Sequence, residues 1–277
     1  MENMQIAILG TGSMGKAILS GLVAAGSSAA KIRVTTKSQT SADAIASIHG
    51  IQAIALETDP TANSYAAKDS DLVVLAVKPN MILETLKQIS NALKPSSLVI
   101  SVAAGITTAA MEEVLSSESA VIRAMPNTPS VLGMGVTGIS KGSNVSDEQL
   151  NLAVELFSSV GKVLIVDESK IDALSTISGS GPAYVFYFAE KLINAAKSLG
   201  FSDQEASMMV KETFLGSATL LSNSSSTPEE LRQQVTSPNG TTMQATGKFD
   251  EANLEKVFIE ATEAALARAK ELGRIKP

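Results

Sequence analysis

Cysteine is absent from the chain, and histidine occurs once, at position 49. The first absence excludes disulfides and thiolate metal sites. The second leaves any histidine-rich metal centre, or any Ser–His–Asp triad, to rest on His49 alone, so no metal site is expected. Charged residues are scarce at 18%, which points to surface buried between subunits. The net charge of −6 and pI near 5.0 exclude the clustered Lys and Arg of a nucleic-acid face. Long apolar runs are missing too: the longest, Leu72 to Val77, falls far below the roughly 20 residues that span a bilayer. The start of the chain carries Glu2 and reaches glycine at position 10, too short and too acidic for a signal peptide. A cytoplasmic protein without membrane or nucleic-acid partners is expected.

What is present is ample apolar material, 44% of 277 residues, and a length that suits two domains. Residues 4–9 (MQIAIL), 31–36 (KIRVTT), 72–77 (LVVLAV), 97–102 (SLVISV) and 119–124 (SAVIRA) form continuous apolar or β-branched runs. Residues 51–56 (IQAIAL) are a weaker one. Such runs suit parallel strands covered on both faces. Helices are predicted between them at about 13–25, 40–49, 80–92 and 107–117. Alternation of this kind predicts an α/β, Rossmann-type, doubly wound parallel sheet. From residue 168 the strands stop and helices lengthen, at about 180–199, 203–222 and 251–272. The predicted division is therefore an α/β domain over 1–167 and an all-α domain over 168–277. Residues 181–196 (GPAYVFYFAEKLINAA) are apolar almost all the way round, so that helix needs cover from a second subunit. Residues 222–230 read as a loop ending in the N-cap Thr227, with Pro228 and Glu230 opening a helix.

"ILGTGSMGKAI" sets Gly10, Gly12 and Gly15 directly after the first strand, at the start of a helix. This is G-x-G-x-x-G in the context that a dinucleotide requires, with Thr11, Ser13 and Met14 completing the loop. The first glycine permits the turn, the second lets a pyrophosphate approach, and the third lets helix and strand pack. An NAD site usually places an acid about 20 residues on. Here the second strand ends in Thr35, Thr36, Lys37 and Ser38, with no carboxylate. Hydroxyls and an ammonium suit a 2′-phosphate, so NADPH is the expected cofactor, with NADH possible.

Further stretches are specific: "AVKPN" (76–80), "SVAAGIT" (101–107), "RAMPNTP" (123–129), "SGSGPAY" (178–184) and "VTSPNGTT" (235–242). With the glycine motif, and in this order, they make the chain resemble the pyrroline-5-carboxylate reductases over essentially its full length. The resemblance implies reduction of 1-pyrroline-5-carboxylate to proline with NAD(P)H, by a Rossmann domain followed by a helical dimerisation domain, in a dimer or larger ring. It also implies that Ala76, Val77, Lys78 and Pro79, with Ala103, Ala104 and Gly105, lie along the nicotinamide half of the cofactor. Asn63 is then near the adenosine ribose, and Met125, Pro126 and Asn127 close the nicotinamide pocket. Turn chemistry is the competing reading for Lys78, Pro79 and Asn127. The chain departs from the common pattern twice. Asn239 stands where a glycine is usual, a tolerable exchange because asparagine accepts left-handed backbone. Thr36-Lys37-Ser38 replaces Asn-Arg-Ser, and lysine cannot grip a phosphate with two prongs.

The substrate implied by the resemblance carries a carboxylate. Ser237, Asn239 and Gly240 lead into a new helix at Thr241 and Thr242, whose N–H groups lack intrahelical partners. Bare N–H groups and hydroxyls bind an anion without a cation, which makes these five the expected substrate cradle, joined by Glu168. Thr242, Ser180 and Glu168 are the candidate catalytic groups, Glu168 by stabilising positive charge on the ring nitrogen; a solvated linker carboxylate is its competing reading. His49 is expected on a helix surface, as are Lys191 and Asn194 on the edge of their helix. Two rivals stay open on the residues: a related imine reductase or β-hydroxyacid dehydrogenase, and an NADP-binding sensor without turnover.

Overall fold

The computed structural model describes residues 1, 3–115 and 118–274; Glu2 and the expected surface position of the His49 side chain fall outside the described residues. Two compact units are present, one formed by Met1–Ser180 together with the chain from Ala265 on, the other by Gly181–Ala264.

The first unit is built on one eight-stranded sheet in the order β3-β2-β1-β4-β5-β6-β7-β8. Its strands are β1 (Ile6–Leu9), β2 (Ile32–Thr36), β3 (Gln52–Ala55), β4 (Leu72–Leu75), β5 (Leu98–Ser101), β6 (Ala120–Met125), β7 (Gly135–Lys141) and β8 (Gly161–Ile165). The six strands read from the sequence are parallel, with Ile6 opposite both Ile32 and Leu72. The sheet is not wholly parallel, however: β7, which the sequence did not announce, runs antiparallel to β6, and β8 runs parallel to β7. Helices α1 (Ser13–Ala24), α2 (Gln39–His49), α3 (Ala62–Ala67), α4 (Ile82–Ile89), α5 (Thr108–Val114) and α6 (Asp147–Ser158) connect the strands. Successive side chains enter opposite cores: Ile6 and Ile8 join one cluster with Leu19, Leu22 and Phe157, whereas Ala7 and Leu9 join another with Leu86 and Met111. Burial on both faces is why β1, β4 and β5 read as unbroken apolar runs.

Beyond β8, α7 (Ile171–Leu174) runs into a π-helical turn, Ser175–Gly179. This segment clusters with the sheet, so the compact units part at residue 180. The reason is polar: Glu168 and Asp172 bond to Thr108 and Arg123, and the Ser178 carbonyl bonds to Asn127.

The second unit holds α8 (Gly181–Ser198), α9 (Asp203–Asn223), α10 (Pro228–Gln234), α11 (Thr241–Glu251) and the first part of α12 (Leu254–Arg274). Ser202 with Glu205, and Thr227 with Glu230, form reciprocal capping boxes that open α9 and α10, each cap contributing about 1 kcal/mol. No residue of α8 is buried; Phe186 is 68% exposed, and Val185, Tyr187 and Leu192 are also open. Lys191 and Asn194 are exposed as expected. No helix among the described residues is long and apolar enough to cross a membrane.

Candidate active site

The three glycines after β1 have three different reasons to be glycine. Gly10 adopts φ +91°, and a Cβ there would come within 2.8 Å of Val77 Cγ1. A Cβ on Gly15 would lie 2.3 Å from the Gly10 carbonyl oxygen, so this glycine sets the close approach of helix to strand. Gly12 has neither reason. Its backbone is extended, and a Cβ would meet no protein atom within 4 Å. The space it leaves fits a cofactor pyrophosphate. α1 has no side-chain cap and no acid in its first turn, and its first helical bond is Lys16 N–H to Gly12 O. The N–H groups of Ser13, Met14 and Gly15 thus lack intrahelical acceptors, which suits an anion.

Buried side chains hold this loop from behind. Gly10 N–H donates to Thr35 Oγ1 at 3.1 Å, and Thr35 Oγ1 donates to Asn63 Oδ1 at 2.9 Å. Thr11 Oγ1 donates to the Thr35 carbonyl at 3.3 Å. Asn63 is 4% exposed, so its side chain braces the glycine loop from within. In the β2–α2 loop, Thr36 is buried and its hydroxyl donates to Ser38 O, while Ser38 Oγ accepts from Ser41 N–H and donates to Ser41 Oγ. Lys37 alone of the three is exposed. Glu57, which the sequence reading passed over, reaches this loop from the end of β3 and accepts from Gln39 N–H.

At the C-terminal ends of β4 to β6, Ala76 and Val77 line the loop beside Gly10, and Lys78 and Pro79 open a short 3-10 turn with Lys78 exposed. Ala103 is buried, Ala104 is exposed and Gly105 takes φ +77°. Asn127 is tied into the fold through its side-chain amide. Its Oδ1 accepts from Val136 N–H at 2.8 Å and its Nδ2 donates to Ser178 O at 2.9 Å. An amide bonded in this way clamps β7 to the π-helical turn and keeps one Nδ2 proton and one Oδ1 lone pair for a further partner. A π turn inserted between helices is itself common at functional sites.

Arg123 of β6 is the principal residue that sequence reasoning missed here. It is 4% exposed, donates from Nη2 to Asp172 at 2.5 Å and sets Nη1 3.7 Å from Glu168 Oε1. Glu168 is no solvated linker: Oε1 accepts from Thr108 N–H at 2.8 Å and Oε2 from Thr108 Oγ1 at 2.6 Å. Its carboxylate thereby caps the start of α5. A cleft of about 380 Å³ opens here, lined by Gly105, Arg123, Met125, Asp172, Ser180 and Arg268. It sits where α/β sheets take ligands, outside the carboxyl ends of the strands.

In the helical unit, Asn239 takes φ +60°, the left-handed turn that its position demands. Gly240 N–H closes that turn on Ser237 O at 3.0 Å, and a Cβ on Gly240 would lie 2.4 Å from Ser237 Oγ. Gly240 is the N-cap of α11 and offers no side-chain cap; the first helical bond is Gln244 N–H to Gly240 O. The N–H groups of Thr241, Thr242 and Met243 are left without helical partners. Ser237 and Thr241 are exposed, and Thr242 is half-buried.

Two family profiles match the chain: "Pyrroline-5-carboxylate reductase dimerisation" over residues 168–272 and "NADP oxidoreductase coenzyme F420-dependent" over residues 5–105. Pyrroline-5-carboxylate reductase of Corynebacterium melassecola is 41% identical across 97% of this chain and 98% of its own length. The chain belongs to the pyrroline-5-carboxylate reductase family. The Pseudomonas aeruginosa reductase is 40% identical over 98% of both chains. Among solved structures, the Coxiella burnetii reductase superposes with a TM-score of 0.90 at 38% identity, covering 97% of this chain and 98% of that one. The Plasmodium falciparum pyrroline carboxylate reductase, solved with NADP bound, reaches 0.85 at 28% identity and covers 99% of both. The profile over residues 5–105 takes in the glycine loop, the β2–α2 loop and the Ala76–Pro79 stretch.

Proposed function

We propose that the chain reduces 1-pyrroline-5-carboxylate to proline, the last step of proline synthesis, in the cytoplasm and as a homo-oligomer. The observation that carries this reading is the end-to-end kinship with the reductases at 41% identity. NAD(P)H, when bound, supplies the hydride that arrives at the imine carbon of the ring. The chain's own part is position. When the cofactor is bound, the first turn of α1 would hold its pyrophosphate beside Gly12, and Lys37 would face the 2′-position. Backbone N–H groups at Thr241 and Thr242, with the Thr242 hydroxyl, hold the substrate carboxylate, and Ser237, Asn239 and Gly240 shape that turn. A protonated ring nitrogen makes the imine carbon electrophilic before any enzyme group acts, so orientation supplies most of the catalysis. Ser180 lines the cleft. Glu168, anchored by Thr108 and facing Arg123, is the carboxylate that stabilises positive charge on the ring nitrogen. The test is oxidation of NADPH or NADH with pyrroline-5-carboxylate against a panel of oxo-acids and of acyclic imines. Turnover confined to oxo-acids would replace this reading with the dehydrogenase one.

Self-association makes its own prediction. Phe186 stands open on α8 in the single chain, so charging it costs the isolated fold little but puts a carboxylate into the proposed interface. Phe186→Asp is expected to convert the assembly to monomers at micromolar concentration, read by light scattering after size exclusion. An unchanged mass would remove α8 from the interface.

A further inference from the structure

The β2–α2 loop receives a carboxylate that its own residues lack. β3 ends at Ala55, and the turn after it stays tied to the end of β2: Leu56 N–H donates to Thr36 O at 2.9 Å, and Glu57 N–H to Lys37 O at 3.2 Å. Glu57 is thereby fixed beside Lys37, and its Oε1 accepts from the backbone N–H of Gln39, the first residue of α2. Thr58 braces the same place, its hydroxyl donating to Gln39 Oε1 at 3.2 Å. The hydroxyls of Thr36 and Ser38 are spent on the loop itself. Among the groups that the loop can turn toward an anion are the Lys37 ammonium and the Gln39 N–H, and Glu57 occupies the second.

We propose that Glu57 is a specificity-determining residue that restrains NADPH relative to NADH. This rests on the reading that Lys37 faces the adenosine 2′-position. A 2′-phosphate that took the Gln39 N–H would have to displace one carboxylate oxygen, and anywhere in this loop it would remain beside a like charge, which is unfavourable. A ribose 2′-hydroxyl meets no such barrier, because it can donate to the carboxylate, as it does to the acid of NAD-binding folds. Lys37 attracts the phosphate and Glu57 opposes it. The result is an enzyme that accepts both cofactors, with NADPH held below the affinity that Lys37 alone would give.

The test is calorimetric titration of the full-length protein with adenosine 2′,5′-bisphosphate and with 5′-AMP, which differ only in the 2′-phosphate. Glu57→Gln keeps an acceptor for Gln39 N–H and removes the charge. It is expected to tighten the bisphosphate roughly tenfold at low ionic strength, the scale of a charge pair a few ångströms apart in water. The 5′-AMP affinity should stay the same or fall. The gain should shrink in about 0.5 M salt, where exposed charges are screened. Bisphosphate affinity that is unchanged or weaker, or an equal gain for both ligands, overturns the proposal. Lys37→Gln separates the two layers of the argument. If it weakens the bisphosphate selectively while Glu57→Gln does nothing, only the role of Glu57 falls. If neither variant distinguishes the two ligands, the loop does not meet the 2′-position and both readings fall together.

Discussion

Gly12→Asp is expected to leave the fold as stable as before, or slightly more stable, and to weaken NAD(P)H binding at least roughly 100-fold, about 2.7 kcal/mol. The two halves of this result come from one geometry. Gly12 is the N-cap of α1 and has an extended backbone that any L-residue adopts, with no protein atom within 4 Å of a Cβ. Aspartate is among the best N-caps, and its charge is favourable at a helix start. The same carboxylate would take the N–H groups that a pyrophosphate needs and repel its charge. Gly15→Ala is the contrasting variant. Its Cβ would lie 2.3 Å from the Gly10 carbonyl oxygen, so strand and helix must part, and overpacking of this kind costs about 1–3 kcal/mol. Calorimetry and a fluorescence titration with NADPH separate the two. If Gly12→Asp lowers the melting temperature as Gly15→Ala does, the glycine is structural; normal cofactor binding would show that no pyrophosphate comes near it.

Which features were legible in the sequence follows from how local their causes are. β1, β4 and β5 announce themselves because every residue in them is buried, and the capping box at Thr227 is written in consecutive residues. β7 and β8 are obscured by glycines that distant contacts impose. A Cβ on Gly138 would lie 2.5 Å from Leu174 Cδ1, and one on Gly161 would lie 2.0 Å from Gly135 O. Those glycines break the β-branched pattern for reasons that only the fold contains. The site divides in the same way. Gly10, Gly12 and Gly15 form one turn and could be read in order. The clamp that Asn127 makes between Val136 and Ser178 could not, because only the fold brings those residues to it. Glu57 was invisible in a search for an acid about 20 residues beyond the glycines, since it arrives on the neighbouring strand. Lys37 without a local carboxylate points to NADPH, and only the fold shows that Glu57 is hydrogen-bonded to the same loop. Arg123 lay within a quoted motif, but its partners Asp172 and Glu168 come from beyond the predicted domain boundary.

Thr242→Val is expected to lower kcat/KM for pyrroline-5-carboxylate by about 10- to 150-fold, the loss of one hydrogen bond to a charged group at roughly 1.5–3 kcal/mol. Thr242 is half-buried, the second residue of α11, and follows a glycine N-cap that has no side chain to satisfy the helix start. Its backbone N–H and that of Thr241 have no helical acceptor, so an anion is the natural occupant of this turn. Valine preserves the branched shape and the N–H groups and deletes only the hydroxyl. The helix loses no cap, because Gly240 and not Thr242 holds that position. Stability should therefore change by about 0.5 kcal/mol or less, and the affinity for NADPH should hold. A ring imine without the carboxylate gives the decisive comparison. It should be a poor substrate for the parent protein and scarcely poorer for the variant, since the deleted hydroxyl has nothing to hold. An equal penalty on both imines would show that Thr242 serves the helix and that the carboxylate is bound elsewhere.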